Sequence, residues 1–278
     1  MDEQFEQGPA FRGHGDTYEA LAPAAGPWSA GHCHGGACAA LIGHVATGIV
    51  TREPMLIVRL TTDFLGPIPI GEPLHVSTAT IKDGRRTQLV TVEVSASGRL
   101  VARATALKTA DLAYSVVAPE NTSSFEPRGG RLPVAMPGAF SSQFTVIPII
   151  GGFGHMMPGK VWFRFNSEIV AGHEVEPIAR AMACADFANA ISMGLPYSEW
   201  LYPTIDLNVN LTRPPVDDWI LIDAKNEMTE TARMFCQAVM SDSAGVFGHC
   251  LQSVLVERRA VPTLPEVDVD DLGKEPMA

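Results

Sequence analysis

Two stretches of this chain carry the same punctuation at a constant spacing. Pro67 follows Asp63-Phe64-Leu65, and Pro214 follows Asn210-Leu211-Thr212. The turn glycine Gly98 has its counterpart in Gly245. Both pairs are 147 positions apart. An offset shared by a strand end and a turn marks an internal duplication, so the chain must build one unit twice.

The unit itself can be read from its patterning. Residues 35–50, GGACAALIGHVATGIV, are small or apolar on every helical face. A helix apolar nearly all round is a helix buried nearly all round. Strand-like runs rich in Val, Thr and Leu follow at 56–65 and 73–108, cut by turn signals at Lys82-Asp83-Gly84-Arg85-Arg86 and Ala96-Ser97-Gly98-Arg99. The second copy repeats the order: an alanine-rich helix over 177–195, then strands at 204–213, 219–228, 232–242 and 246–258. The expected class is α+β, with two tandem copies of a long antiparallel sheet, each wrapped around a central helix. Pairing the two sheets edge to edge would hide two edges from aggregation. The expected boundaries are an N-terminal unit over 1–115 and a linker over 116–157 rich in Ser, Pro, Gly and Met. A C-terminal unit follows over 158–259, opening with a strand at 160–165, and then a disordered acidic tail over 260–278.

Bulk properties narrow the function. With 278 residues, 46% hydrophobic and 18% charged, the chain is not disordered. A net charge of −11 makes it a poor partner for phosphate backbones, so nucleic acid is excluded as a partner. The N-terminus, MDEQFEQGPA, is acidic and unlike a secretory leader, and no apolar run reaches about 18 residues. The five cysteines, Cys33, Cys38, Cys184, Cys236 and Cys250, are odd in number and form no CxxC pair. Reduced, buried thiols in a cytoplasmic protein are expected.

Polar residues interrupt this pattern in few places. In residues 181–195 the polar side chains are Asp186, Asn189 and Ser192, three apart and therefore on one side of a helix. Asp186 belongs either to a narrow solvated stripe or to a cleft where a buried carboxylate has partners. Thr204 opens a strand, and Gln252 lies in another with apolar neighbours. His32-Cys33-His34 with Cys38 raises a metal site or a cysteine nucleophile. No second ligand pair and no base beside Cys33 can be named, so neither metal nor cofactor is expected.

At Asp186, Thr204 and Gln252 the chain resembles the acyl-CoA thioesterase II family of tandem hotdog proteins. The similarity extends over most of residues 28–259. It is carried by Thr204-Ile205-Asp206, Arg213-Pro214, Asp218-Trp219-Ile220-Leu221, Ala232-Arg233-Met234-Phe235 and the late Gln252, and in the first half by Lys82-Asp83-Gly84-Arg85 and His34-Gly35-Gly36. The chain departs from the family where Ser253-Val254 replaces the usual Glu-Gly, and in a shorter segment between helix and Thr204. The resemblance implies a double hotdog fold, an acyl-CoA substrate and a water held by Asp186, Thr204 and Gln252. Asp186 would accept or orient the water's proton while the hydroxyl and the amide hold the water. The thioester carbonyl would face backbone N–H groups at Gly35-Gly36. Lys82, Arg85, Arg86, Arg213 and Arg233 are the basic candidates for coenzyme A phosphates, with Arg85 and Arg213 foremost. The first helix has no Asp at the matching place, so one site per chain is expected. A homodimer or higher oligomer is expected. The competing readings are a non-catalytic acyl-CoA binding protein and a hotdog hydratase or dehydratase.

Overall fold

The structure is a computed structural model that describes residues 7–112, 136, 138–156, 158–231 and 233–259. The tail at 260–278 and much of the linker lie outside the described residues. The first half contributes β1 (Phe11–His14), β2 (Thr17–Ala20), α1 (Gly35–Gly48), β3 (Met55–Phe64), β4 (Pro73–Asp83), β5 (Thr87–Ala96) and β6 (Arg99–Ala110). The second contributes β7 (Phe144–Ile150), β8 (Gly159–Phe165), α2 (Pro177–Ala185), β9 (Trp200–Leu201), β10 (Thr204–Leu211), β11 (Trp219–Met228), β12 (Arg233–Asp242), β13 (Gly245–Leu255) and β14 (Glu257–Arg258). Among the described residues twelve strands form one sheet in the order β1-β2-β4-β5-β6-β3-β10-β13-β12-β11-β8-β7, and β9 pairs with β14 apart from it.

That order reads the same outward from its centre: β3-β6-β5-β4-β2-β1 on one side, β10-β13-β12-β11-β8-β7 on the other. The seam is the antiparallel pair β3–β10, where Thr61 lies opposite Asn208. These two residues are themselves 147 positions apart, and Asn208 Nδ2 donates to Thr61 Oγ1 at 2.8 Å. A residue that pairs with its own duplicate lies on a two-fold axis, so the chain reproduces within itself the isologous contact of a symmetric dimer.

One part of the expected linker is a strand. β7 occupies residues 144–150, inside the segment 116–157, and pairs with β8 as the sheet's outer edge. Its inward residues Phe144 and Val146 are buried. Pro148 and the exposed Ile149 and Ile150 mask its alternation in the sequence; an edge strand tolerates a proline because half its N–H groups face away from the sheet.

The sheet wraps two helices that lie antiparallel against one another. From Gly36 to Gly43 every residue of α1 is buried. Small residues set the spacing: a Cβ on Gly43 would lie 3.2 Å from Ala179 Cα, and one on Gly36 would lie 2.9 Å from the Ala183 carbonyl. Past the C-terminal end of α1, buried Lys108 donates from Nζ to the Ile49 carbonyl and Gln88 Nε2 to the Val50 carbonyl, both at 2.8 Å. A cation there complements the negative end of the helix dipole. No helix among the described residues is long and apolar enough to cross a membrane.

Gly43→Val forces its methyls into the Ala179 backbone. It should lower unfolding free energy by about 1–3 kcal/mol, read as a lower urea midpoint with an unchanged slope.

Candidate active site

The second helix ends earlier than the sequence pattern suggests. α2 stops at Ala185, not near residue 195, and Asp186 is its C-cap. The chain then winds more tightly. Phe187 N–H bonds the Cys184 carbonyl, Ala188 N–H that of Ala185, and Ala190 N–H that of Phe187. Winding of this kind has three residues per turn, so Asp186, Asn189 and Ser192 line up. All three are buried, at 6%, 5% and 4% exposure, which removes the solvated-stripe reading.

The cause of the break is Gln252. In a continuing α-helix the Asn189 N–H would bond the Ala185 carbonyl. Here it donates instead to Gln252 Oε1 at 3.0 Å. The other end of the same amide, Nε2, reaches the Asp186 carbonyl at 3.3 Å, Asp186 Oδ1 at 3.4 Å and Thr204 Oγ1 at 3.3 Å. Because the backbone donor claims Oε1, the amide cannot flip, and its N–H groups must face Asp186 and Thr204. Gln252 is fully buried on the inward face of β13, between Cys250 and Val254.

Thr204 arrives by a different device. Along β10 the inward residues are Leu207, Val209 and Leu211, so strict alternation would turn Thr204 outward with Asp206 and Asn208. A bulge between Thr204 and Asp206 shifts the register against β13 and turns Thr204 inward, leaving Ile205 46% exposed. Asp206 Oδ1 fastens the bulge by accepting the Ser253 N–H at 2.6 Å. Thr204 Oγ1 accepts from Gln252 Nε2 at 3.3 Å and from Asn189 Nδ2 at 3.2 Å. With two donors pointing at the oxygen, the hydroxyl's own proton is left to be donated elsewhere.

The two copies meet at Asp186. His34, the N-cap of α1, lies with Nδ1 3.1 Å from Asp186 Oδ2, and the same nitrogen accepts the Gly36 N–H at 3.0 Å. A Cβ on Gly35 would sit 2.7 Å from Asp186 Oδ2, so only glycine leaves room for the carboxylate. A cavity of about 440 Å³ opens in front of this group. Asp186, Asn189, Thr204, His34 and Gly35 line it on one side, and Trp28, Phe64, Tyr197, Tyr202 and Leu255 are among its apolar walls. Trp28, Tyr197 and Tyr202 pack on one another with ring centroids 4.9–5.4 Å apart.

Asp186, Thr204 and Gln252 therefore come together, and Gly35 joins them on the cavity wall. Gly36 stands behind, its amide taken by His34. The two arginines expected to bind substrate are elsewhere. Arg85 is exposed in the hairpin between β4 and β5, and Gln88 of that hairpin is tied to Val50 beyond the C-terminal end of α1. The cavity lies at the other end of this 14-residue helix, about 20 Å away. Arg213 is nine residues along from Thr204, about 30 Å in an extended chain. Its guanidinium grips Asp242 with two bonds of 2.6 Å. That bond raises the Arg213 pKa further. Burial acts to raise the Asp242 pKa, but Arg213 and the amides of Val216 and Ala244 outweigh it and hold the carboxyl below its usual range. Arg213 is a structural anchor at the end of the seam strand.

Asn189 and His34 carry more of the site than the sequence reading assigned to them. The three-residue spacing from Asp186 was the one signal for Asn189; His34 was marked by its place before two glycines and by the His32-Cys33-His34 and Cys38 cluster, read there as a possible metal site. All five cysteines are free. Burial pushes the Cys33 thiol well up, away from the reactive thiolate form, and among the described residues no three His, Cys, Asp or Glu side chains gather as metal ligands.

The fold, two helix-wrapping sheets joined at a seam, is a double hotdog. The family model of the acyl-CoA thioesterase N-terminal domain matches residues 24–109, and that of the C-terminal domain matches residues 118–256. The chain belongs to the acyl-CoA thioesterase family. Solved structures share its architecture. A proposed thioesterase from Novosphingobium aromaticivorans is 21% identical, with TM-score 0.66 over 89% of this chain and 98% of the other. A hot dog fold protein of unknown function from Alicyclobacillus acidocaldarius is 16% identical, with TM-score 0.71 over 89% and 96%. The acyl-CoA thioesterase II TesB2 from Mycobacterium marinum is 16% identical, with TM-score 0.60 over 92% and 96%. No curated protein sequence is similar to the chain.

Gln252→Glu replaces a buried donor by an acceptor facing Asp186. Burial and the neighbouring carboxylate would raise the new group's folded pKa above its unfolded value. The variant's deficit should therefore be small at low pH and grow, to about 2–3 kcal/mol, as pH rises through that folded pKa. Urea unfolding of both proteins between pH 5 and pH 8 checks the sign.

Proposed function

We propose that the chain hydrolyses acyl-CoA thioesters with a water activated at Asp186. The observation that carries this reading is a carboxylate and a hydroxyl on the wall of an apolar cavity, each within 3.4 Å of one buried amide behind them. The apolar walls suit an acyl chain, and the polar corner suits its thioester.

In this reading the water oxygen attacks the carbonyl carbon while one of its protons passes to the Asp186 carboxylate. Thr204 donates its remaining proton to the same water, and Gln252 keeps Asp186 and Thr204 in register. The negative oxygen of the tetrahedral intermediate faces the start of α1, where the Gly35 backbone N–H and the helix dipole favour it. The C–S bond then breaks, the carboxylic acid leaves, and the proton held by Asp186 passes to the thiolate of coenzyme A. Arg85 and Arg213 lie away from the cavity, and this reading assigns them no contact with the thioester. The five free thiols fit a reducing, cytoplasmic setting.

A panel of acyl-CoAs of different chain lengths, with release of free thiol followed by a thiol reagent, tests the reading. Thiol should appear with at least one substrate, and Asp186→Asn should lower kcat by roughly 10²–10⁴-fold at unchanged stability. Binding without thiol release would indicate a carrier, and a changed acyl chain on intact thioester would indicate a hydratase; either result overturns the proposal.

A further inference from the structure

Asp186 is a buried carboxyl group with few charged neighbours. It is 6% exposed and lines a cavity with mostly apolar walls. Among the described residues no Lys or Arg lies within ion-pair distance, and the single partner of that kind is His34, at 3.1 Å.

The geometry at His34 imposes a choice. Nδ1 faces the Gly36 N–H at 3.0 Å and Asp186 Oδ2 at 3.1 Å. One ring nitrogen cannot accept from the first and donate to the second at once. If Nδ1 carries a proton, it donates to an ionised Asp186. If it accepts from Gly36, the proton between the two groups must belong to Asp186. The imidazole is held in place for this exchange by ring contacts with Phe140 at 5.3 Å and Phe187 at 4.7 Å.

We propose that His34 is a positioning residue that shares one proton with Asp186 across the Nδ1–Oδ2 contact and so aims the carboxyl group for water activation. The step is a proton transfer within the pair, Nδ1–H···Oδ2 to Nδ1···H–Oδ2, with no gain or loss of electrons. This inference rests on the proposed hydrolysis for its consequence in turnover, but the shared proton is a property of the free protein. The other titratable groups facing the pair are thiols and a phenol. Cys38 lies on α1, Cys33 just before it, Cys250 on β13 and Tyr197 in the loop before β9. Burial pushes all four up, Cys38 to about 12, so they stay neutral.

The internal two-fold supplies a control. The N-cap of α1, His34, corresponds to the N-cap of α2, Glu176, and the same offset of 142 relates His44 on α1 to Asp186. His44 Nδ1 lies 2.8 Å from Glu176 Oε1. The contact therefore recurs with imidazole and carboxylate exchanged, and the residues around this second pair include none of Asp186, Thr204 or Gln252.

Three variants and two readouts decide the matter. His34→Phe keeps the ring contacts, His34→Asn keeps an acceptor for the Gly36 N–H, and His44→Phe breaks the symmetry-related pair. In 15N spectra of histidine-labelled protein, the His34 Nδ1 signal and its titration should change in Asp186→Asn. An unchanged signal overturns the shared proton whether or not the chain hydrolyses any thioester. In the thiol-release assay both His34 variants should lose kcat on the order of 10²-fold with KM little changed, and the acid limb of kcat should move to higher pH. His44→Phe should keep the native profile. A His34→Asn enzyme with native kcat and native pH profile would reduce His34 to a helix cap and end the proposal. Absence of thiol release from the native protein would sink the hydrolase reading alone and leave the spectra to judge the pair.

Discussion

The site is organised by one side-chain amide inserted into the backbone hydrogen bonding of a helix. Gln252 takes the N–H of Asn189 and returns an N–H to the carbonyl of Asp186. The α-helical pattern cannot continue past that exchange, so α2 ends at Ala185 and the chain tightens. Asp186 becomes the cap of a helix and is not a mid-helix side chain. It therefore projects past the end of α2 towards the first turn of α1, where Gly35 leaves space for it. An amide buried without these partners would cost several times what a surface glutamine costs, so structure and site hold each other in place.

The duplication is not uniform, and the place where it fails is informative. Strands of the two copies are 147 positions apart, while helix starts are 142 apart, from Gly35 to Pro177. Five extra residues in the second copy therefore lie between the helix start and the seam strand. That interval holds the tight winding after Ala185, Tyr197, β9 and Tyr202. The same stretch builds the aromatic wall of the cavity and is fastened by the β9–β14 pair. A shorter α2, nine residues against 14 for α1, is the price of this rearrangement in helical length.

Much of this was legible in the sequence. Periodicity and turn residues located β10 to β13 within three residues at either end, because each is bounded by glycine, proline or a charged turn. The buried helices were legible because no face of 35–50 carries enough polar groups to meet water. Three features were not. Extended α2 failed because alanine-rich composition favours helix locally while the interruption comes from Gln252, 66 positions from Asp186. The inward turn of Thr204 depends on a bulge, and a bulge is decided by the partner strand and by the Asp206–Ser253 contact, not by alternation within β10. The placement of Arg85 and Arg213 was hidden because charge marks a residue as basic without saying which end of a strand or helix it occupies. Arg213 belongs to the fully buried Asp242, which no pattern in the sequence connects to it.

The two-fold also explains why a chain with two copies carries one such corner. Carrying Thr204 and Gln252 back by 147 positions reaches Ile57 and Thr105, and carrying Asp186 back by 142 reaches His44. Ile57 is buried in the core and has no hydrogen to give. Thr105 is too short to span the gap that the Gln252 amide bridges, and α1 accordingly runs on to Gly48 without a break. With no side-chain amide to interrupt it, the first helix has no reason to end early and cannot present a carboxylate at its end. What survives there is the pairing of an imidazole with a carboxylate, His44 with Glu176, which joins the helices in the same way as His34 with Asp186. The contact between helices is thus the shared constraint of the duplicated fold, and the chemistry proposed here is what the second copy adds to it through one glutamine, one bulge and five residues.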